Sequence, residues 1–571
     1  MQLRSYQLRA VDATFKEWEE SSTTLGISPT GCGKTVIFSE VIRRAAEQGK
    51  RSMVLAHRQE LVFQARDKIK ALSGLEVEVE MGERKVVGGD TLFARNSCVV
   101  STIQTHTAGD DGGGRMTKFD PNQFGVLILD EAHHCTSPSY RRVIDYYRTN
   151  PELKVLGVTA TPDRTDEEAL GQVFETVAFD YEILDAIRDG WLVPIDQQMI
   201  HVEPINLSGV KTTAGDLNGA DLAAVMETEK ALHGVAYPTI EIIGQKRCLV
   251  FTSSVAHAKN LSEIFNRHRS GMSSWVCGET DADERAMILA DFKRGKIQVV
   301  CNCAVLTEGF DDAGVEVIAQ AKPTKSRSLY AQMIGRATRP LPGIVDGPVT
   351  PMGRRSAIAS SAKHSCLIID FVGNSGKHKL MTTANILGGK VSDEAIESAI
   401  IKARQSGKAV RMDRTLEEEE EINNEKETRR LEEEARKAKL VAKANYKTQS
   451  VNPFDMLQIR PVKERGWDKG KTLTEKQTGF LRRAGIDPDS LPYSKARQLI
   501  GAMVDRFSKK LCTIKQMQLL KKYGCDTNVT FEQASLMIDE ISKNGWKKPA
   551  EQPKPVVVGS SGYCSDDDVP F

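Results

Sequence analysis

Ser28-Pro29-Thr30-Gly31-Cys32-Gly33-Lys34-Thr35 follows a short β-rich run, Thr23 to Ile27, and opens a stretch in which Ile37, Val41 and Ala45 share one helical face. A strand, a glycine turn and a helix start in that order aim backbone N–H groups at an anion. The lysine and threonine that end the turn suit a phosphate chain and its metal ion. Further along, Asp130-Glu131-Ala132-His133 closes the apolar run Val126-Leu127-Ile128-Leu129, which reads as a buried parallel strand. Gln332-Met333-Ile334-Gly335-Arg336-Ala337-Thr338-Arg339 then brings two arginines. Singly, each stretch has an ordinary reading as a turn, a solvated loop or a helix surface, and Ser28 stands where the strict phosphate-loop pattern has glycine. Their ordered conjunction decides for one cleft taking ATP and Mg²⁺. Lys34 is expected on the β- and γ-phosphates, Thr35 and Asp130 on the metal, and Glu131 on the attacking water.

With 571 residues the chain is too long for one core, and about three or four domains are expected. Its 40% hydrophobic and 27% charged content is ordinary for globular protein, and a net charge of +1 neither favours nor excludes a polyanionic partner. The eleven cysteines are scattered, many inside apolar strands such as Cys98, Cys248, Cys301, Cys303 and Cys366, and form no CxxC pair. That pattern predicts buried thiols rather than disulfides or a zinc ribbon. Met1 to Trp18 is charged throughout and no run approaches a membrane span, so a cytoplasmic protein without membrane contact is expected.

From the phosphate loop outward, short apolar runs alternate with amphipathic helices. Ser52 to Ala56, Cys98 to Ser101, Val126 to Leu129 and Val155 to Val158 read as strands, with a helix bearing Leu61, Ala65 and Ile69 on one face. This pattern predicts a doubly wound parallel sheet with ligands at the carboxyl ends of its strands. It restarts after Trp191-Leu192-Val193-Pro194, with strands at Leu249 to Thr252, Trp275 to Cys277, Val299 to Cys301, Val315 to Ile318 and Cys366 to Asp370. Gly109 to Asp120 and Pro340 to Lys363 read as inserted loops.

Residues 1 to 375, roughly, resemble superfamily 2 helicases of the DEAH-box, restriction-motor-like branch, with the closest likeness to bacteriophage and bacterial repair helicases. Besides the three stretches above, the resemblance rests on Arg4-Ser5-Tyr6-Gln7, Leu55-Ala56-His57-Arg58-Gln59-Glu60-Leu61, Ser101-Thr102-Ile103-Gln104, Thr159-Ala160-Thr161-Pro162, Leu306-Thr307-Glu308-Gly309-Phe310-Asp311 and Leu367-Ile368-Ile369-Asp370-Phe371-Val372-Gly373-Asn374. It implies that Gln7 reads adenine, and that Thr30, Gly31, Cys32, Gly33, Lys34, Thr35, Gly309 and Asp311 line the nucleotide site. It also implies that Arg336 and Arg339 reach across from the second domain to the γ-phosphate. Arg58, Thr102, Gln104, Thr252 and Thr307 match positions that hold strand phosphates and sugars, and His133, Thr159 and Thr161 match positions that couple hydrolysis to the strand. Ordinary turn chemistry is the other reading of those threonines.

Beyond residue 375 the resemblance gives little. Thr415 to Lys443, with Glu417 to Glu421 followed by mixed charges, reads as a solvated helical linker without sustained heptads. Then Thr474-Glu475-Lys476-Gln477, Leu481, Gly485, Asp487, Ala496 and Ile500 recur as Thr513-Ile514-Lys515-Gln516, Leu520, Gly524, Asp526, Ala534 and Ile538. Each copy predicts a Thr-capped helix closed at glycine and followed by a second helix. Arg482-Arg483, Lys509-Lys510 and Lys521-Lys522 make this part locally cationic, which suits DNA and also solubility. Asp566, Asp567, Asp568, Pro570 and Phe571 resemble the acidic tip of bacterial single-stranded-DNA-binding proteins, which implies docking on the proteins that read that tip.

The fold expected is α/β: two tandem doubly wound RecA-like parallel-sheet domains (1–195 and 196–390), a charged helical linker (391–450), a small helical repeat domain (451–548) and an acidic tail (549–571). The function expected is an ATP-dependent helicase or translocase acting on single-stranded or branched DNA. A restriction motor subunit, an RNA helicase and a non-enzymatic adaptor are the alternatives. The first would need a nuclease, for which no Asp…Glu-x-Lys or HNH-like cluster is evident, and the last conflicts with the presence of Lys34, Thr35, Asp130, Glu131, Arg336 and Arg339 together.

Overall fold

A computed structural model describes residues 3–56, 59–82, 98–108, 114–160, 164–213, 215–307, 309–441, 453–457, 459, 461 and 464–546. The chain divides into two compact units, Met1–Arg429 and Arg430–Phe571.

In the first unit, strands β1 (Thr23–Ile27), β2 (Ser52–Ala56), β3 (Val77–Glu80), β4 (Cys98–Thr102), β5 (Val126–Asp130), β6 (Lys154–Thr159) and β7 (Thr176–Asp180) form one seven-stranded sheet in the order β3-β4-β2-β5-β6-β1-β7. All six pairings are parallel. Strands β1, β2, β4 and β5 lie in the interior and are buried along nearly their whole length, β2 and β5 as near-continuous apolar runs, as sheets covered on both faces require. The edge strands β3 and β7 are mostly half-buried and lack such a run, which is why apolar patterning does not reveal them. Helix Lys34–Glu47 buries Ile37, Phe38, Val41, Ile42 and Ala45 in a core shared with Val62, Ala65 and Ile69 of helix Gln59–Ser73.

A second seven-stranded sheet follows. It is built from β8 (Ile195–Asn206), β11 (Cys248–Thr252), β12 (Ser273–Val276), β13 (Val299–Asn302), β14 (Val317–Ala321), β15 (Cys366–Asn374) and β16 (Val410–Arg411), in the order β12-β13-β11-β14-β15-β8-β16. Only β16 runs antiparallel to its neighbour; a small hairpin, β9 (Thr212–Thr213) with β10 (Asp216–Leu217), stands apart. Phe251, Val300, Ile318 and Ile368 pack one face against Ala395, Ile396, Ala399, Ala403, Met412 and Leu416. The stretch expected as linker from residue 391 therefore starts too early. Residues through Leu416 supply an edge strand and core side chains to this lobe, and the spacing of Ala395, Ala399 and Ala403 carries that packing on small side chains. The insertion Pro340 to Lys363 contains helix Pro351–Ala359, started by Thr350, whose hydroxyl accepts from Gly353 N at 3.1 Å.

The second unit contains helices Glu475–Arg483, Tyr493–Ser508, Ile514–Lys522 and Phe531–Lys543. Its repeat is visible in matched burial: Leu481 and Leu520 are fully buried, as are Ala496 and Ala534. Thr474 with Gln477 and Thr513 with Gln516 form reciprocal capping boxes, and Thr530 with Gln533 adds a third. Among the described residues the ten cysteines are free thiols, and no helix is long and apolar enough to cross a membrane.

One close approach fixes the packing under the first sheet. A methyl carbon on Gly157 of β6 would stand 2.3 Å from the ring of buried Phe174 and 3.0 Å from Cβ of Ala132. Gly157→Val should therefore destabilise the protein by about 1–3 kcal/mol in denaturant unfolding. An unchanged midpoint would show that Phe174 repacks freely.

Candidate nucleotide cleft

Strands β1, β4, β5 and β6 run parallel, so their carboxyl ends bring the phosphate loop, the Thr102 turn, Asp130-Glu131 and Thr159 to one sheet edge. Gly31 and Gly33 adopt φ of 92° and 75°, left-handed conformations that glycine enters without strain, and Gly33 caps helix Lys34–Glu47. The loop is held from behind. Tyr6 Oη donates to Cys32 O at 2.6 Å and Gln7 Nε2 to the same carbonyl at 3.1 Å, while Gln7 Oε1 accepts from Arg4 N at 2.9 Å. Gln7, expected to read adenine, here holds the loop through its amide nitrogen and caps its own helix through its amide oxygen. Tyr6 in turn stacks on Tyr181 at 4.7 Å and packs against Trp191. Trp191 is faced by the guanidinium groups of Arg4 and Arg354 at 4.5 and 3.9 Å, a platform that no sequence pattern announced.

Lys34 Nζ lies 3.0 Å from Glu131 Oε1, with both side chains nearly buried. Burial opposes ionisation of Glu131, but the charges of Lys34 and His133 outweigh it and hold the carboxyl well below its usual range. Glu131 has φ of 52°, and its second oxygen is 3.4 Å from His133 Nδ1. That histidine nitrogen also lies 3.1 Å from Thr159 Oγ1, and Thr159 O accepts from Ser28 N at 2.9 Å. His133 and Thr159 so join the acidic turn to the base of the phosphate loop. Asp130 Oδ1 accepts from Glu131 N at 3.0 Å. With Thr35 at the first helical turn, a hydroxyl and a carboxylate flank the loop, a sparse donor set of the kind Mg²⁺ uses when phosphates complete its shell. Among the described residues no group of three or more His, Cys, Asp or Glu could hold a metal alone.

The arginine stretch of the second lobe closes on this loop. A methyl carbon on Gly335 would stand 2.8 Å from Cβ of Thr30, and one on Gly31 would stand 3.1 Å from Cγ of Arg339. The two arginines differ in what they do. Arg339 runs beside the phosphate loop and pairs with Asp311. Arg336 is buried and donates to the carbonyls of Thr307 and Phe310, tying its helix to the loop after β13. Gly309 O accepts from Gln64 Nε2 of the first lobe at 3.2 Å. Lys363, a lone lysine at the end of the insertion, was not singled out by the sequence. It is 2% exposed, its ammonium donates to Ala313 O and Arg339 O, both at 2.7 Å, and burial lowers its pKa to about 8.

The candidate strand-contact residues divide differently. Thr102 Oγ1 caps helix Ile103–Thr107 by accepting from Thr105 N, Thr252 Oγ1 donates to Ser254 O and Asn302 O, and Thr307 Oγ1 donates to Ala304 O. All three threonines are buried, so their hydroxyls serve turn chemistry in this conformation, whereas Gln104 is exposed beside Thr102. Arg58, Thr161 and the tail positions Asp566, Asp567, Asp568, Pro570 and Phe571 lie outside the described residues.

Residues 1–164 match the family described as the res subunit of type III restriction enzymes, and residues 235–340 match the helicase conserved C-terminal domain. Over 416 residues the chain is 32% identical to the Saccharomyces cerevisiae protein IRC3, itself named an ATP-dependent helicase only provisionally, covering 70% of this chain and 55% of IRC3. A protein of Mycobacterium tuberculosis named DNA 3'-5' helicase XPB is 23% identical over 360 residues, covering 59% of this chain and 58% of its own. The chain thus spans little more than half the length of either relative. Among solved structures, the ATP-dependent type ISP restriction-modification enzyme LlaBIII bound to DNA aligns with 96% of this chain and 40% of its own at a TM-score of 0.51 and 14% identity, a likeness of fold. The two matched families fall one on each lobe.

Proposed function

We propose that the chain is an ATP-driven DNA helicase or translocase serving replication, recombination or repair. The observation that carries this reading is the meeting of Arg339 with the phosphate loop across two lobes, while its neighbour Arg336 grips the loop after β13. The names of XPB and LlaBIII favour DNA as the polymer. The res-subunit description supports a second reading, a restriction motor whose nuclease lies elsewhere.

Thr35 and Asp130 would hold Mg²⁺, which when bound with ATP neutralises charge on the β- and γ-oxygens. Lys34 exchanges Glu131 for phosphate as substrate enters. Release of that ion pair raises the proton affinity of Glu131 and frees its carboxylate to orient water and accept a proton. Arg339 supplies positive charge to the transferring group. Arg336 makes the arginine helix and the loop through Thr307 and Phe310 move as one body, so that closing and opening the cleft shifts the carboxyl ends of β11 and β13. With the threonine hydroxyls engaged, main-chain N–H groups and the exposed amide of Gln104 are the groups offered to strand phosphates. Arg482, Arg483, Lys509, Lys510, Lys521 and Lys522 are all exposed on the helical unit and would add non-specific affinity.

Glu131→Gln should keep ATP binding and lose about 10²–10⁴-fold in DNA-stimulated turnover, as expected for loss of a general base; near-normal turnover would sink the assignment. Lys363→Met should lower kcat while leaving ATP affinity near wild type, because it loosens the segment bearing Arg339 without touching the phosphate loop. Equal loss of kcat and affinity would mean that Lys363 supports the fold only. Replacing Lys509, Lys510, Lys521 and Lys522 by Ala should flatten the log–log salt dependence of single-strand binding by about 0.7 for each phosphate that is no longer neutralised. An unchanged slope would reassign that unit to protein contacts.

A further inference from the structure

The second lobe contains a cavity of about 560 Å³ away from Lys34 and Glu131, at the carboxyl ends of β14, β15 and β8. The register of these strands grades its wall. Ile318 pairs with Ile368 in an apolar row, and Gln320 pairs with Asp370 in the next. Beyond them stand Lys322 and, paired with Val372, His201. One sheet face so passes from aliphatic to amide and carboxylate and then to Lys322 and His201 as it reaches the opening. Parallel α/β sheets bind ligands at that edge.

The polar row is incomplete by itself. Gln320 is 3% exposed, lines the cavity, and has no hydrogen-bond partner on either amide atom. Asp370 is 5% exposed and accepts from Tyr330 Oη, 2.8 Å from each oxygen, and from the amide of Gln197. A buried amide without partners is disfavoured unless something enters to pair with it, and an amide facing donors and acceptors together fits the edge of a nucleobase. The volume lies in the range of small-molecule sites, Met199, Leu380 and Ile400 offer apolar contact to ring faces, and Lys322, Lys379 and Arg404 supply cations for a phosphate.

We propose that this cavity binds one nucleoside 5'-monophosphate unit, with its base against Gln320 and Asp370 and its phosphate at Lys322, Lys379 and Arg404. Two sources share that chemistry: a free nucleotide, or a base turned out of a bound strand. The second source rests on the nucleic-acid reading above, since β11 and β13 end at the same sheet edge; the first does not.

The test uses the full chain and its Gln320→Leu variant, with the ATP cleft saturated by a non-hydrolysable ATP analogue. AMP, CMP, GMP and UMP are titrated in one arm, with inorganic phosphate as control. In the other arm, a single strand carrying 2-aminopurine reports base eversion by fluorescence. Unfolding of both proteins is followed in parallel, and Gln320→Leu should be at least as stable as wild type, because it removes the unpaired amide. A monophosphate binding at least tenfold more weakly to the variant supports the free-nucleotide source. A fluorescence rise that requires Gln320 supports the strand source. Binding by phosphate alone, or responses identical in both proteins, overturns the proposal. Loss of strand binding in wild type with monophosphate binding intact would count against the nucleic-acid reading alone.

Discussion

A lysine taken out of water needs a counter-charge, and the ion pair of Lys34 with Glu131 meets that need in the centre of the cleft. The pair engages one oxygen of the carboxylate and leaves the other 3.4 Å from His133 Nδ1. The depressed proton affinity of Glu131 follows from this pairing together with His133, which stands between Glu131 and Thr159. Elements around the cleft are arranged to keep these charges close: β1 and β5 deliver them from opposite sides of β6, and Gly157 leaves room for Phe174 beneath.

The second lobe contributes charge and linkage through different residues. Arg339 lies against the loop, and Arg336 is engaged by backbone carbonyls, so two arginines three residues apart have different partners. Lys363 closes the arrangement by bridging Ala313 and Arg339 with one buried ammonium. Buried cations held by carbonyls depend on where those carbonyls stand, which makes the insertion that carries Lys363 part of the cleft's support. Its helix likewise places Arg354 on Trp191, behind Tyr6 and the phosphate loop.

The helical unit shows the same division between local and distant control. Its capping boxes are written in adjacent residues, and its core repeats Leu481 as Leu520 and Ala496 as Ala534. Phe507, Phe531 and Trp546 nevertheless remain about half exposed.

The sequence alone determined the parts whose chemistry is contiguous. A phosphate loop, an acidic turn after an apolar strand and a Thr-capped helix are each made by neighbours in the chain, so spacing and residue type suffice. Most interior strands were legible for the same reason, while β3, β7, the half-buried β8 and the core role of residues 391–416 were not, because their apolar content becomes meaningful only against a partner surface. Only the tertiary structure decided that Gln7 braces the loop, that the hydroxyls of Thr102, Thr252 and Thr307 are engaged within their own turns, and that Arg339 rather than Arg336 lies beside Gly31. Each of these depends on where a side chain finds its hydrogen-bond partner, and a buried polar group takes the partner that packing brings within reach.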